Sequence, residues 1–278
     1  MLIRNKNFDL HNYYNKFINY IKNTVNNRNI LNNITLFTVN FNNMYMTCRM
    51  LESFFYNCDF NIPFYIVDNS TINEKNVDLI YNNFNIIDNK NFKILNDLND
   101  ISKNHSLTID YILYNVIKTD YVILCDNDVI FKSELNNILK EYMEYDTIGT
   151  IEDGYVPPLR ITPVFCIINL KKLKADKIKY YIENKCKVSI TPFKKTTFLY
   201  GQNYEIPVEY YYDTGSAFYE QIVEKNWNIK NINPNNYYEH FDGLGHINKL
   251  LEDTYFIKRK YYSISDFLEK NSKYILLK

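Results

Sequence analysis

Residues Tyr121 to Phe131 read Y-V-I-L-C-D-N-D-V-I-F. Five apolar residues run into Asp126-Asn127-Asp128, and the apolar run resumes at Val129. An unbroken apolar segment of this length predicts a strand buried on both faces, because a strand with one face in water alternates instead. Such strands belong to parallel sheets covered by helices on both sides. Two carboxylates at the end of a buried strand are costly, since each opposes ionisation of the other and burial opposes both. A divalent cation removes that cost: Mn²⁺ or Mg²⁺ takes hard oxygen ligands and can bridge to a diphosphate. Asn127 separates the two acids without adding charge. The bland alternative is a solvated turn rich in Asp and Asn.

Outward from this stretch the same reading repeats. Ile34 to Phe41 (ITLFTVNF) and Pro63 to Val67 (PFYIV) are buried strands, the second ending at Asp68-Asn69-Ser70. Helical spacing covers about 44–56, 73–83 and 105–117, and 92–95 reads as a short strand. Leu10, Tyr13, Tyr14, Phe17, Ile18 and Ile21 predict an N-terminal helix leaning on the body. Alternating strands and helices over this half predict an α/β fold with a mostly parallel central sheet flanked by helices. Ligands of such sheets bind beyond the carboxyl ends of the strands, and two of those ends here carry Asp68 and the Asp126/Asp128 pair. The second half reads as less regular: strands at 146–151 and 164–169, a basic exposed helix over 170–187, a helix over 214–227, and helical pieces after Ile247.

Composition excludes several classes of function. Lys+Arg and Asp+Glu are equal at 32 each, so a protein built chiefly to neutralise nucleic-acid phosphates is not expected. No apolar run is long enough to span a bilayer, and Met1 to Phe8 lacks an apolar signal core. The five cysteines are odd in number and show no C-x-x-C pairing, which predicts reduced thiols and a cytoplasmic protein. Tyrosine is abundant at 27 residues while alanine occurs only at Ala175 and Ala217. That is AT-rich codon bias, as in a bacterium, a protist or a large DNA virus, so tyrosine and asparagine are discounted as site signals. No P-loop, G-x-G-x-x-G, H-E-x-x-H or G-x-S-x-G motif is present.

Three further segments carry candidate chemistry. His240 to His246 (HFDGLGH) holds two of the 4 histidines and two of the 6 glycines, in a chain where glycine is scarce. Histidine can complete a metal shell or donate to phosphate, and glycine lets backbone approach a ligand. Asp213-Thr214-Gly215 is either a helix N-cap or the site of a general base, with Glu152-Asp153 as a rival acidic pair. Asn104-His105-Ser106 opens the helix before the Asp-x-Asp strand, where polar groups suit phosphate or sugar contact or serve as a simple cap.

Taken together, ITLFTVNFNN, FYIVDNST, the helix with NHS, and YVILCDNDVIF resemble the GT-A fold glycosyltransferases that use nucleotide sugars, nearest the family 2 type. The resemblance covers roughly Ile34 to Gly245, and the Asp-x-Asp strand is its most specific part. It implies a Rossmann-like GT-A domain over 34–246, preceded by a helical extension (1–33) and followed by a helical tail packed on it (247–278). The irregular half would bind the acceptor. It implies that Thr38, Asn40 and Asp68 line the nucleoside pocket, with Asp126, His105 and His246 also toward the donor. Asp126, Asp128 and His240 would hold Mn²⁺ or Mg²⁺, and Asp213 would be the base of an inverting transfer. The donor expected is a nucleotide sugar, UDP-linked by preference, and the acceptor a hydroxyl of a glycan, protein or lipid. Two departures stand out: Asp-Gly-Ser after the second strand is Asp68-Asn69-Ser70 here, and the Glu-Asp acid pair is Tyr212-Asp213. The His-x-x-Gly spacing also resembles retaining families, so both stereochemical outcomes stay open. The competing readings are a sugar nucleotidyltransferase, which would want a glycine-rich basic loop where Phe41-Asn42-Asn43-Met44 stands, and a degenerate chain that only binds glycan or nucleotide.

Overall fold

The computed structural model describes residues 9–70, 74, 76–88, 101–153, 159–182, 189–199, 202–210 and 214–241. In chain order these form α1 (Leu10–Tyr20), which runs on into one wider π turn (Ile21–Val25), β1 (Asn29–Ile30), β2 (Ile34–Asn40), α2 (Met44–Tyr56), β3 (Phe60–Asn61) and β4 (Phe64–Asp68). Next come α3 (Asp78–Tyr81), β5 (Ile86–Asp88), α4 (Ile101–Tyr111) with a π turn after it (Ile112–Val116), β6 (Tyr121–Asp126), β7 (Val129–Phe131) and α5 (Asn136–Glu141). The remainder is β8 (Thr147–Asp153), β9 (Leu159–Asn169), α6 (Leu170–Asp176), β10 (Ser189–Leu199), β11 (Gln202–Tyr210), α7 (Ser216–Glu224), β12 (Ile229–Asn231) and β13 (Tyr238–His240).

Seven strands make the central sheet, in the order β12-β8-β9-β6-β2-β4-β5. The pairings β6–β2, β2–β4, β4–β5 and β12–β8 are parallel, and β9 alone runs antiparallel to both its neighbours. The fold is therefore mixed α/β with a mostly parallel sheet, as the apolar strands predict. Register brings the acids together: Val39 pairs with Asp126 and Asn40 with Asp68, so both acidic strand ends share one edge. Side chains alternate across the sheet. Ile34, Leu36, Ile66, Ile123 and Cys125 pack with α1 and α2 on one face. Phe37, Val67, Val122 and Leu124 pack with α4, α6 and α7 on the other.

The N-terminal helix enters the first of these cores through Tyr13, Tyr14, Phe17 and Ile18. A buried ion pair fixes its seat. Arg49 Nη1 lies 2.8 Å from Glu52 Oε2, and Tyr13 donates its hydroxyl proton to the same oxygen at 3.0 Å. The guanidinium lies over the Tyr13 ring at 4.1 Å and donates through Nε to the Tyr45 hydroxyl. A buried charge is tolerable only when paired and hydrogen-bonded in this way.

Several sequence-based boundaries are corrected. The basic helix stops at Asp176 rather than continuing to 187, because Lys177 takes a left-handed conformation (φ 57°) and its N–H returns to Leu173 and Lys174. The helix expected over 73–83 is the single turn α3, and the one expected over 214–227 spans Ser216–Glu224. The strand expected at 92–95 lies outside the described residues, and among the described residues β5 is the last strand on that side of the sheet. The second half is less irregular than expected, since β10 and β11 form a long antiparallel hairpin. Pro192 and Pro207 lie within its strands, and proline demotes a strand reading, while the register shifts between Ile190 and Phe193.

This packing can be tested at two positions. Gly215 precedes α7 at φ 96°, and a Cβ there would run into the Ile161 carbonyl. Gly215→Ala is therefore expected to lower unfolding free energy by ~1–3 kcal/mol in urea titration. The other position is Asp110 in α4, whose carboxylate accepts the backbone N–H groups of Tyr180 (2.7 Å) and Tyr181 (2.9 Å). Burial nevertheless pushes its carboxyl up to about 6, against the opposing pull of those two N–H groups. The folded chain thus holds a proton that the unfolded chain releases near pH ~4, and this contribution to stability is lost as pH rises through about 6. In Asp110→Asn that slope should vanish, so the variant gains stability relative to wild type between pH ~4 and ~6, read by denaturation at a series of pH values.

Candidate metal centre

Asp126 closes β6, and the chain turns through Asn127 and Asp128 before re-entering the core as β7. Phe131 anchors the re-entry. Its ring stacks edge-on against Phe54 of α2 (5.3 Å), Phe165 of β9 (5.3 Å) and Tyr238 of β13 (6.0 Å). Tyr238 pairs with Phe131, Glu239 with Ile130 and His240 with Val129, so β13 lies antiparallel along β7. One more backbone bond, Phe241 N–H to the Asp128 carbonyl at 2.9 Å, carries β13 past the acidic turn.

That ladder delivers His240 to the carboxylates. Its Nε2 lies 3.3 Å from Asp128 Oδ1. Asp126, Asp128 and His240 each offer a ligand atom, all within 4.8 Å of one another. On the opposite side of the sheet edge His105, in the second turn of α4, places Nε2 3.6 Å from Asp126 Oδ1. Two carboxylates and an imidazole are a hard, mixed oxygen–nitrogen set that suits Mn²⁺ or Mg²⁺ rather than a thiophilic ion. Ligands bound at ~2.1 Å are at most ~4.2 Å apart, so a small closure of the cluster brings all three to bonding distance. The residues present fit a divalent cation.

A second polar cluster sits on the neighbouring strands β2 and β4, by the turn from β2 to α2. Asn40 is fully buried, and its Nδ2 donates to Asp68 Oδ1 and Ser70 Oγ, both at 2.9 Å, and to Glu74 Oε1 at 3.3 Å. Its Oδ1 accepts from the Thr47 hydroxyl at 2.9 Å and from Asn43 N–H at 3.3 Å. Asp68 also accepts from Ser70 N–H at 3.0 Å and from the Tyr81 hydroxyl. Burial raises the Glu74 carboxyl above its ordinary range, opposed by the Met44 N–H (2.8 Å) and the Asn40 amide. Thr38 is fully buried, with Cys125 and Ile66 as its register partners.

The structure thus brings together Asp126, Asp128, His240 and His105, and separately Asn40 and Asp68, on one sheet edge. Asp213 and His246 lie outside the described residues. Glu152, the rival acid, is bound to Arg160 (Nη2 2.6 Å, Nε 3.0 Å). Thr47, Glu74 and Tyr81 escaped the sequence reading. Only tertiary pairing distinguishes them from the surrounding filler, although Asn43 as N-cap of α2, accepting from Met46 N–H at 3.3 Å, gives a local sign that Thr47 sits in a first turn.

No protein-family profile matches the sequence, and no curated protein matches it. Among solved structures, the galactosyltransferase LgtC in complex with donor and acceptor sugar analogues is similar over 51% of this chain, with 16% identity and a TM-score of 0.38. The match spans 59% of that protein's length. Mouse xyloside xylosyltransferase 1 is similar over 51% of this chain and 68% of its own, with 12% identity and a TM-score of 0.36. S. aureus TarS is similar over 76% of this chain and 37% of its own, with 14% identity and a TM-score of 0.44.

Proposed function

We propose that the chain transfers a glycosyl group from a nucleotide-diphosphate sugar to a hydroxyl acceptor. The observation that carries this reading is the cluster of Asp126, Asp128 and His240 at the carboxyl edge of a mostly parallel sheet. That edge is where ligands of such sheets bind. Asp126, Asp128 and His240 would hold Mn²⁺ or Mg²⁺, which when bound neutralises charge on the departing diphosphate.

The chain's own residues supply the rest. His105, beside Asp126 on the α4 side, is assigned to donate to a donor phosphate or hydroxyl. Asp68, Asn40 and Thr38 are assigned to the nucleoside end of the site, with a UDP-sugar as the preferred donor. Asp213, just before α7, is assigned as the base that takes the acceptor hydroxyl proton during attack on the anomeric carbon. Attack from the face opposite the diphosphate inverts the anomeric configuration with no covalent intermediate. His246 is assigned to the donor side, within a segment closing over the diphosphate. The second half of the chain is assigned to the acceptor, and the setting to the cytoplasm. No helix among the described residues is long and apolar enough to cross a membrane.

The decisive experiment is a thermal-shift series with UDP-, GDP-, dTDP- and CMP-linked sugars, with and without Mn²⁺. A donor at ~100 times its Kd should add ~2.7 kcal/mol of stability. One nucleotide class should stabilise the protein in a Mn²⁺-dependent way, and Asp128→Asn should abolish the Mn²⁺-dependent part. No shift with any donor would point instead to a chain that no longer binds nucleotide sugars. Asp213→Asn should keep the nucleotide shift while turnover falls by ~10²–10⁴-fold, and near-normal turnover would move the base elsewhere.

A further inference from the structure

The two polar clusters of the sheet edge are joined. Thr47 is fully buried in the first turn of α2. Its hydroxyl proton goes to Asn40 Oδ1 at 2.9 Å in preference to the more distant Asn43 carbonyl at 3.3 Å, which leaves its lone pairs to accept. Asn127, the residue between the two acids, is 5% exposed and donates through Nδ2 to the Thr47 hydroxyl oxygen at 3.4 Å. Donor and acceptor directions agree along the whole chain: Asp68 and Glu74 are acceptors, so they orient the NH₂ of Asn40 toward themselves and its carbonyl toward Thr47. The acidic turn is thereby tied to β2, β4 and α2 at the one residue in it that is neither acid nor strand.

We infer that Thr47 is a positioning residue: through Asn127 it holds the Asp126-Asn127-Asp128 turn in the geometry that presents both carboxylates to a cation. The inference deepens the proposed function and rests on it for the identity of the ligand. Its physical basis does not depend on the cation. Two adjacent carboxylates repel, and a turn carrying them needs a fixed internal bond to keep them converging. Asn127 makes that bond from a buried position, where losing its partner leaves an unsatisfied N–H. Groups that orient metal ligands commonly govern affinity by ~10–100-fold when removed.

Thr47→Val replaces the hydroxyl by a methyl of similar size, and Thr47→Ser keeps the hydroxyl. Mn²⁺ affinity, read by the free-ion EPR signal, should weaken ~10-fold or more in Thr47→Val and recover to within about threefold of wild type in Thr47→Ser. Deuterium exchange of the peptide covering 121–131, in metal-free protein, should quicken in Thr47→Val alone. Unchanged exchange and unchanged Mn²⁺ affinity in a folded Thr47→Val overturn the inference. Should Thr47→Val not fold, Asn127→Ala removes the other end of the bond, and wild-type Mn²⁺ affinity with unchanged exchange in that variant overturns it equally. The two readouts also separate this inference from the reading on which it rests. Wild-type protein that takes up no Mn²⁺, with exchange still quickened in Thr47→Val, removes the cation and leaves the positioning bond.

Discussion

Phe131 is the hinge pin of the candidate site. Its ring meets Phe54, Phe165 and Tyr238 edge-on, and each partner belongs to a different element. Edge-to-face aromatic contacts of this kind add ~0.5–1.5 kcal/mol beyond the area they bury. They also fix direction, because the ring can satisfy all three only in one orientation. With Phe131 so packed, β7 leaves the acidic turn toward the core, and β13 pairs with it in the register that puts His240 opposite Val129. The placement of a polar cluster thus depends on an apolar contact a few residues away. A change at Phe131 would reach His240 and Asp128 without touching either.

Much of this was legible in the sequence, and the reason is periodicity. YVILC, ITLFTV and PFYIV are too apolar to have a wet face, so a covered parallel sheet was the consistent reading, and the acids at their ends had to share an edge. The acidic turn and His240 were also visible, one by its unpaired charge and the other by the rarity of histidine in the chain. What could not be read was contact across the fold. Glu74 sits in a polar segment with no local signal, yet it reaches Met44 and Asn40. Tyr81 is one tyrosine among 27, and only its bond to Asp68 separates it from the rest. The β10–β11 hairpin was hidden by prolines and by polar residues that carry no clean alternation.

Asn40 shows why residue type alone underdetermines role. As a polar residue at a strand end it reads as a ligand contact. In the fold it is fully buried, and its amide is engaged by Asp68, Ser70, Glu74, Thr47 and Asn43. A fully engaged buried amide is a rigid joint, since every rotation breaks bonds that water cannot replace. Asp68 is similarly occupied on both oxygens, by Asn40 and Ser70 on one and Tyr81 on the other. Its orientation is therefore set within the protein by Asn40, Ser70 and Tyr81.

The acidic turn is held from both layers of the fold, and that arrangement has an energetic logic. His105 approaches Asp126 from the α4 face, while His240 approaches Asp128 along β13. Thr47 reaches Asn127 from the α2 face. These three contacts come from segments roughly 20, 110 and 80 positions away from the turn, so none of them exists until the layers have docked. Before docking, two neighbouring carboxylates are simply solvated. After docking they are partly buried, and an imidazole on each side together with an amide between them makes the burial tolerable. The cost of assembling two acids at the end of a core strand is thus met by groups drawn from every layer that packs there. A cluster built in this way reports on the integrity of the whole sheet edge, and loosening any one layer should disorder the acidic turn before the fold itself gives way.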